Sequence, residues 1–94
     1  MPNCFTFTRK SNPNEGPASL VNIDLEMCEA FGVTVHPVKF YCDWVDLVGL
    51  EVACGRTLMQ VREKFAALSH SYINLIPVIE WLDANFTTDA FVQR

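Results

Sequence analysis

Long hydrophobic runs, a basic excess and closely spaced cysteine pairs are all missing from this 94-residue sequence. Its apolar runs extend over only a few residues, whereas a helix needs roughly 20 to span a bilayer, so we expect no membrane segment. The opening MPNCFTFTRK lacks the basic-then-apolar order of a secretory signal, which predicts a cytoplasmic location. The four glycines are scattered, so the chain has no glycine-rich phosphate loop.

The cysteines form no C-x-x-C motif. They stand at Cys4, Cys28, Cys42 and Cys54. This spacing is a weak zinc signal, even with His36 or His70 as further ligands. We interpret the cysteines as apolar core thiols, because free cysteine is among the most buried residue types. The sequence therefore predicts neither a metal nor a cofactor.

Acidic residues outnumber basic ones by eleven to seven, and the formal net charge is −4. Between Glu15 and Gly55, seven acids stand against one base, Lys39, giving −6, and the rest of the chain carries +2. Nucleic-acid binders normally show a basic patch or stripe, so we expect no direct nucleic-acid contact. An acidic surface suits a basic protein partner, although the same charge also serves solubility alone.

Half of the residues are hydrophobic, which suffices for one small core and predicts a single domain over residues 1–94. The patterning predicts a mostly helical α+β fold with a minor two- or three-stranded element. Residues 4–8 alternate as a strand, and its partner is either 33–35 or the tail 90–93. Helices are predicted at 23–31, from 40 or 43 to 54, from 58 onward, and at 75–86.

Several residues mark the predicted helix ends. Asn22 and Asn74 are predicted N-caps, and Gly32 and Gly55 follow helices that they end. The segment 57–60, Thr-Leu-Met-Gln, has the T-x-x-Q form of a capping box, so a helix should begin at Leu58.

Each helix is predicted to bury an apolar stripe. The predicted core residues of the first, third and fourth helices are Ile23, Met27, Ala30 and Phe31; Leu58, Val61, Phe65 and Leu68; and Leu75, Val78, Ile79, Leu82 and Phe86. The second helix is apolar nearly all round. Its main stripe is predicted to hold Tyr41, Trp44, Val45, Val48 and Val52. Leu47, Leu50 and Cys54 lie opposite, and Cys42, Gly49 and Ala53 form a strip of small residues. Such a helix is either central to the core or has a second face for a partner.

Two carboxylate pairs at i, i+3 carry the main site prediction. Glu26 with Glu29 and Asp43 with Asp46 are predicted to form one exposed patch that binds a basic partner protein. Paired carboxylates can also act as acid and base, so a small enzyme remains an alternative. Trp81, at the edge of the fourth helix's stripe, is predicted as an interface anchor because tryptophan is enriched among binding hot spots.

The segment Tyr41 to Phe65, YCDWVDLVGLEVACGRTLMQVREKF, preceded by DLEMCEAFGV, resembles small uncharacterised proteins encoded by bacteriophages. The resemblance implies a phage accessory protein, a group that includes inhibitors of host defence such as anti-CRISPR proteins. It assigns no role to any residue.

These features predict a non-enzymatic protein-binding module that acts through an acidic surface on residues 15–55. One alternative is a homodimer that buries Trp81 and the spare side of the second helix. The other is a small ligand-binding domain or enzyme with a Cys–His or paired-carboxylate site.

Overall fold

The computed structural model describes residues 4–32, 44–68 and 75–91. The elements in chain order are strand β1 (Cys4–Arg9), a 3₁₀ turn (Pro13–Glu15), helix α1 (Leu20–Phe31), helix α2, in which a π-helical stretch (Val45–Gly49) continues into an α-helical one (Leu50–Ala53), helix α3 (Leu58–Leu68), helix α4 (Ile76–Asn85) and strand β2 (Phe86–Phe91). The prediction of a mostly helical α+β fold is confirmed.

The two strands form an antiparallel sheet in which Cys4 lies opposite Phe91 and Arg9 lies opposite Phe86. The first strand therefore pairs with the C-terminal part of the chain, as one of the two alternatives predicted, but the paired strand already begins at Phe86 rather than at Ala90. The other, 33–35, lies outside the described residues. Helix α4 leads directly into β2, and the N–H of Phe86 still donates to the carbonyl of Leu82.

One apolar core receives side chains from both strands and from the four helices of the described ranges. Its largest fully buried members are Trp44, Phe7, Phe86, Ile23, Met27, Ile79, Leu82, Val48, Val52 and Val61. The Phe7 ring lies edge-on to Trp44 at 6.0 Å and to Phe86 at 6.1 Å between centroids. Such pairs contribute about 0.5–1.5 kcal/mol beyond their burial, so Phe7 fixes the sheet to the helices.

Strand β1 packs closely against helix α2 at Gly49. A Cβ atom added there would lie 2.7 Å from Cζ of Phe5, so any larger residue would displace the ring. Of the small-residue strip predicted on the second helix, Gly49 therefore packs against the sheet.

The predicted helix-end signals at 57–60, Gly32 and Gly55 are present in the structure. In the capping box, the Gln60 N–H donates to Oγ1 of Thr57 at 3.2 Å, and the Thr57 N–H donates to Oε1 of Gln60 at 3.0 Å. Gly32 ends α1 with φ +66°, and Gly55 follows α2 with φ +96°. These left-handed conformations favour glycine.

The predicted start of the first helix is wrong. The helix begins at Leu20 with Ser19 as its N-cap, rather than at Ile23 with Asn22 as the cap, and the Ile23 N–H donates to the Ser19 carbonyl at 3.0 Å. Leu20 packs against the core, which extends the helix backwards by about a turn. Asp24 consequently lies in the second turn of the helix, on the buried side.

The predicted core stripe of the fourth helix is confirmed, because all five of its residues are buried. Its boundaries differ slightly: the helix begins at Ile76 after the N-cap Leu75, and Phe86 is already in β2. The predicted cap Asn74 lies outside the described residues. Three core predictions elsewhere are wrong: Ala30 is exposed, Phe31 is 41% exposed, and Leu68 is 54% exposed, one turn beyond the last α3 residue in the core, Phe65.

Glu51 joins α2 to the elements that follow it. Its two carboxylate oxygens accept from Nη1 of Arg56 at 2.7 Å and from Nζ of Lys64 on α3 at 2.6 Å. Arg56 is therefore already engaged by an acid of its own chain.

Candidate functional site

Glu26, the first of the predicted site residues, is paired within the protein. Nη1 and Nη2 of Arg9 donate to its Oε1 and Oε2 at 2.8 and 2.6 Å, a bidentate contact that joins β1 to α1. This hydrogen bond raises the pKa of Arg9, and its effect outweighs that of desolvation, which lowers the pKa. Both carboxylate oxygens of Glu26 are occupied, so it contributes little free charge to a surface and no acid–base pair with Glu29.

Glu29 is exposed and belongs to a row of residues along the outer side of α1. Val21, Leu25 and Glu29 are spaced at i, i+4 and i+8, which places them on one side of the helix. Val21 is 57% exposed and Leu25 is 60% exposed. We name these three residues the α1 stripe: an apolar ridge that ends in a carboxylate.

Helix α2 has a similar, shorter arrangement. Asp46 is exposed, and Leu50, one turn later, is 65% exposed. Part of the predicted spare side of this helix is therefore open to solvent, whereas Leu47 packs against the core. Asp43 lies outside the described residues, so the continuity of the predicted four-carboxylate patch stays a prediction.

Trp81 is half-buried in a group of aromatic rings. Its ring centroid lies 6.5 Å from that of Phe31 and 5.8 Å from that of Phe86. The guanidinium of Arg9 stacks over Phe86 at 5.4 Å from the centroid, in cation–π contact. The described structure thus gives Trp81 an intramolecular packing role, and its predicted role as an interface anchor stays a prediction.

The sequence reasoning missed a buried polar contact between α1 and α2. Asp24 is 7% exposed, and its Oδ1 accepts from Nε1 of the fully buried Trp44 at 3.0 Å. The thiol of Cys28, one turn along α1, donates to Oδ2 at 3.9 Å. Adding Leu20 to the predicted helix would have revealed it, since Asp24 then lies between Leu20 and Met27 on the same side of the helix.

Burial raises the pKa of the Cys28 thiol, and the adjacent Asp24 carboxylate adds to the rise. The folded protein therefore holds this proton at a pH at which the unfolded chain releases it. By linkage, this difference lowers the stability of the fold as the pH rises above the ordinary thiol range, around 8.5.

We expect iodoacetamide at mildly alkaline pH to alkylate the exposed Cys54 well before Cys28, because the thiolate is the nucleophile. Peptide mass spectrometry over a time course measures both rates. In denaturant the two rates should converge. Equal rates in the native protein would contradict the buried position of Cys28.

An open groove of about 240 Å³ lies between β2 and the junction of α2 with α3. Val52, Gly55, Arg56 and Thr57 form one side, and Thr88, Asp89 and Ala90 form the other. The sequence reasoning did not find this groove, because the pairing of the tail with β1 is what places β2 beside the helix junction.

Other kinds of site have little support in the described ranges. Residues 4–32, 44–68 and 75–91 contain no group of three or more His, Cys, Asp or Glu side chains placed to hold a metal ion. The histidines of the alternative Cys–His site, His36 and His70, lie outside these ranges. None of the helices described combines the length and the hydropathy needed to cross a bilayer.

The chain matches no protein-family model, no curated protein and no solved structure.

Proposed function

We propose that this protein is a non-enzymatic module that binds another protein through the α1 stripe. The observation that carries the proposal is the exposure of Val21 and Leu25, 57% and 60%, on a helix whose opposite side is in the core. Single exposed aliphatic residues are common on protein surfaces. Two on adjacent turns form a ridge of the kind that helix-mediated recognition uses.

Charge supports a basic partner. Glu29 ends the stripe, and the surrounding segment, residues 15–55, carries a net charge of −6. Glu26 is occupied by Arg9, so among the described residues of the predicted patch Glu29 and Asp46 are the exposed carboxylates that can attract a cationic surface. Complementary charge raises the association rate and helps to select the partner.

The resemblance of residues 41–65 to phage-encoded proteins gives this proposal its specific form, an inhibitor of a bacterial host system, of the anti-CRISPR kind. A small acidic protein that occludes a basic nucleic-acid-binding surface would act in this way. The interaction would require no catalytic group.

Affinity capture from a bacterial host lysate tests the proposal. The tagged wild-type chain is compared with the double variant Val21→Ser/Leu25→Ser and with the matched control Met59→Ser, which alters a 46% exposed residue on α3. We expect wild type and control to retain the same protein, the double variant to lose at least about tenfold of it, and added salt to weaken the retention. Equal retention by all three folded variants would refute the role of the stripe.

Self-association is the second candidate, and the exposure of Leu50 favours it. Light scattering of the wild-type chain and Leu50→Ser distinguishes the two. A dimer that the substitution converts to a monomer supports this candidate, whereas a wild-type chain that stays monomeric at tens of micromolar counts against it.

A further inference from the structure

The hydrogen bonding around the sheet fixes which backbone groups of β2 point away from β1. The N–H of Lys10 donates to the carbonyl of Asn85 at 3.0 Å, at the end of the strand pair. In an antiparallel ladder, directly opposed residues alternate between bonded and non-bonded pairs. Thr87 and Asp89 therefore exchange bonds with β1, while Thr88 and Ala90 direct their backbone groups to the outer edge.

Contacts on the far side of β1 agree with this assignment. The N–H of Ala18 donates to the carbonyl of Phe7 at 2.7 Å, so Phe7, which lies opposite Thr88, faces away from β2. An isolated bridge between Thr8 and Pro17 covers the same edge of β1. The following loop thus protects one edge of the sheet.

The outer edge of β2 has no such cover within the described ranges. No backbone group of another segment described there bonds to Thr88 or Ala90. The Ala90 N–H is satisfied locally by Oδ1 of Asp89 at 3.0 Å. Among the described residues, nothing pairs with the N–H and carbonyl of Thr88 or with the carbonyl of Ala90, and unpaired strand edges of this kind recruit further strands.

The groove supplies the space for an added strand. It follows the edge at residues 88–90, and its opposite wall includes Val52 and Gly55. A Cβ atom added at Gly55 would have no other atom within 4 Å, so there is open space beside the backbone at this point of the wall. Thr88 and Ala90 share the inner face of β2 with the buried Phe86, so a side chain opposite Thr88 on an added strand would point toward the Val52 side of the groove.

We propose that this edge binds an extended peptide segment of another protein, which pairs with Thr88 as a third strand. The segment places a small apolar residue opposite Thr88 and a lysine or arginine opposite Asp89. The proposal is independent of the α1 stripe, since it uses a different surface.

The charge of the edge selects this occupant over a second copy of the chain. Asp89 is exposed on the outer face and has no ion-pair partner among the described residues, and the nearby Arg56 is held by Glu51. Opposite charges directly across two strands stabilise their pairing. A second β2 paired about Thr88 would set Thr87, not a cation, against Asp89.

Selection from a ribosome-displayed library of random short peptides, with the full chain as bait, tests the proposal. We expect enriched sequences in which apolar and basic residues alternate. Their Kd should rise by about tenfold or more on Thr88→Pro, which removes the edge donor and leaves the β1 ladder intact. Asp89→Lys should weaken the same peptides by charge reversal, and it remains informative if the proline variant does not fold.

Leu25→Ser is the matched control and should leave peptide affinity unchanged. The experiment therefore tests peptide binding at the β2 edge separately from partner binding through the α1 stripe. Three results would overturn the proposal: no enriched peptide, enriched peptides that bind Thr88→Pro and Asp89→Lys as tightly as wild type, or a wild-type dimer that Thr88→Pro abolishes. The last would identify a second copy as the occupant.

Discussion

Replacing Trp44 with phenylalanine is expected to lower the free energy of unfolding by about 3 kcal/mol, because it leaves the buried Asp24 carboxylate without its indole donor. The contact is short, 3.0 Å, and both residues are buried. The phenyl ring keeps most of the apolar contact, so the loss reports mainly on the missing N–H. Urea unfolding followed by circular dichroism measures the change.

Trp81→Phe is the matched control, since this indole is half-buried and lies at the edge of the core. It should cost under about 1 kcal/mol. Adding Asp24→Leu to Trp44→Phe should recover a large part of the lost stability, because both polar partners are then absent. Equal effects of the two tryptophan substitutions would contradict the assignment of Asp24 as the acceptor that matters.

Proline substitutions at two adjacent residues of β2 should differ sharply in their effect on stability. The Thr87 N–H faces β1 and bonds into the ladder, so Thr87→Pro should lower the free energy of unfolding by about 2–3 kcal/mol. The Thr88 N–H faces the groove, so Thr88→Pro should cost under about 1 kcal/mol, as proline does at a solvent-facing edge.

Thermal and urea unfolding of both variants measure this difference. Thr6→Ala, on the outer face of β1, provides a baseline for altering the sheet without removing a backbone donor. If Thr88→Pro were the more damaging of the two, the register between β1 and β2 would be off by one residue.

Local sequence signals predicted some of the helix ends, although not the start of α1. The capping box at Thr57 and Gln60 and the glycine after α1 depend only on neighbouring residues, and both occur as predicted. The buried stripe of α4 could also be predicted from the sequence, because its apolar residues recur with a clear 3.6-residue period. These features need no knowledge of the rest of the chain.

Features that depend on tertiary contacts were not predictable in the same way. Leu20 extends α1 because it packs on the core, and Asp24 is buried because Trp44, twenty residues later, supplies a donor. The π-helical stretch of α2 and the approach of Phe5 to Gly49 likewise depend on the sheet beside them.

The candidate site was predictable only in part. The sequence located the acidic segment and the spare side of the second helix, and the structure shows Glu29, Asp46 and Leu50 exposed. It could not show that Glu26 is neutralised by Arg9, seventeen residues earlier, because charge counting does not reveal pairing. Nor could it locate the groove, which exists only once β2 lies beside the helix junction.

The pairing of Cys4 with Phe91 determines the order in which parts of this protein can fold during its synthesis. In the order of translation, β1 and the Phe7 ring precede the described helices, yet their strand partner β2 follows α4. Contacts between such distant parts of a chain form slowly, because a long loop must close first. The helices can form while translation proceeds, but the sheet and the groove can form only after residue 91 has left the exit tunnel. Until then, β1 is an unpaired apolar strand that a chaperone would recognise.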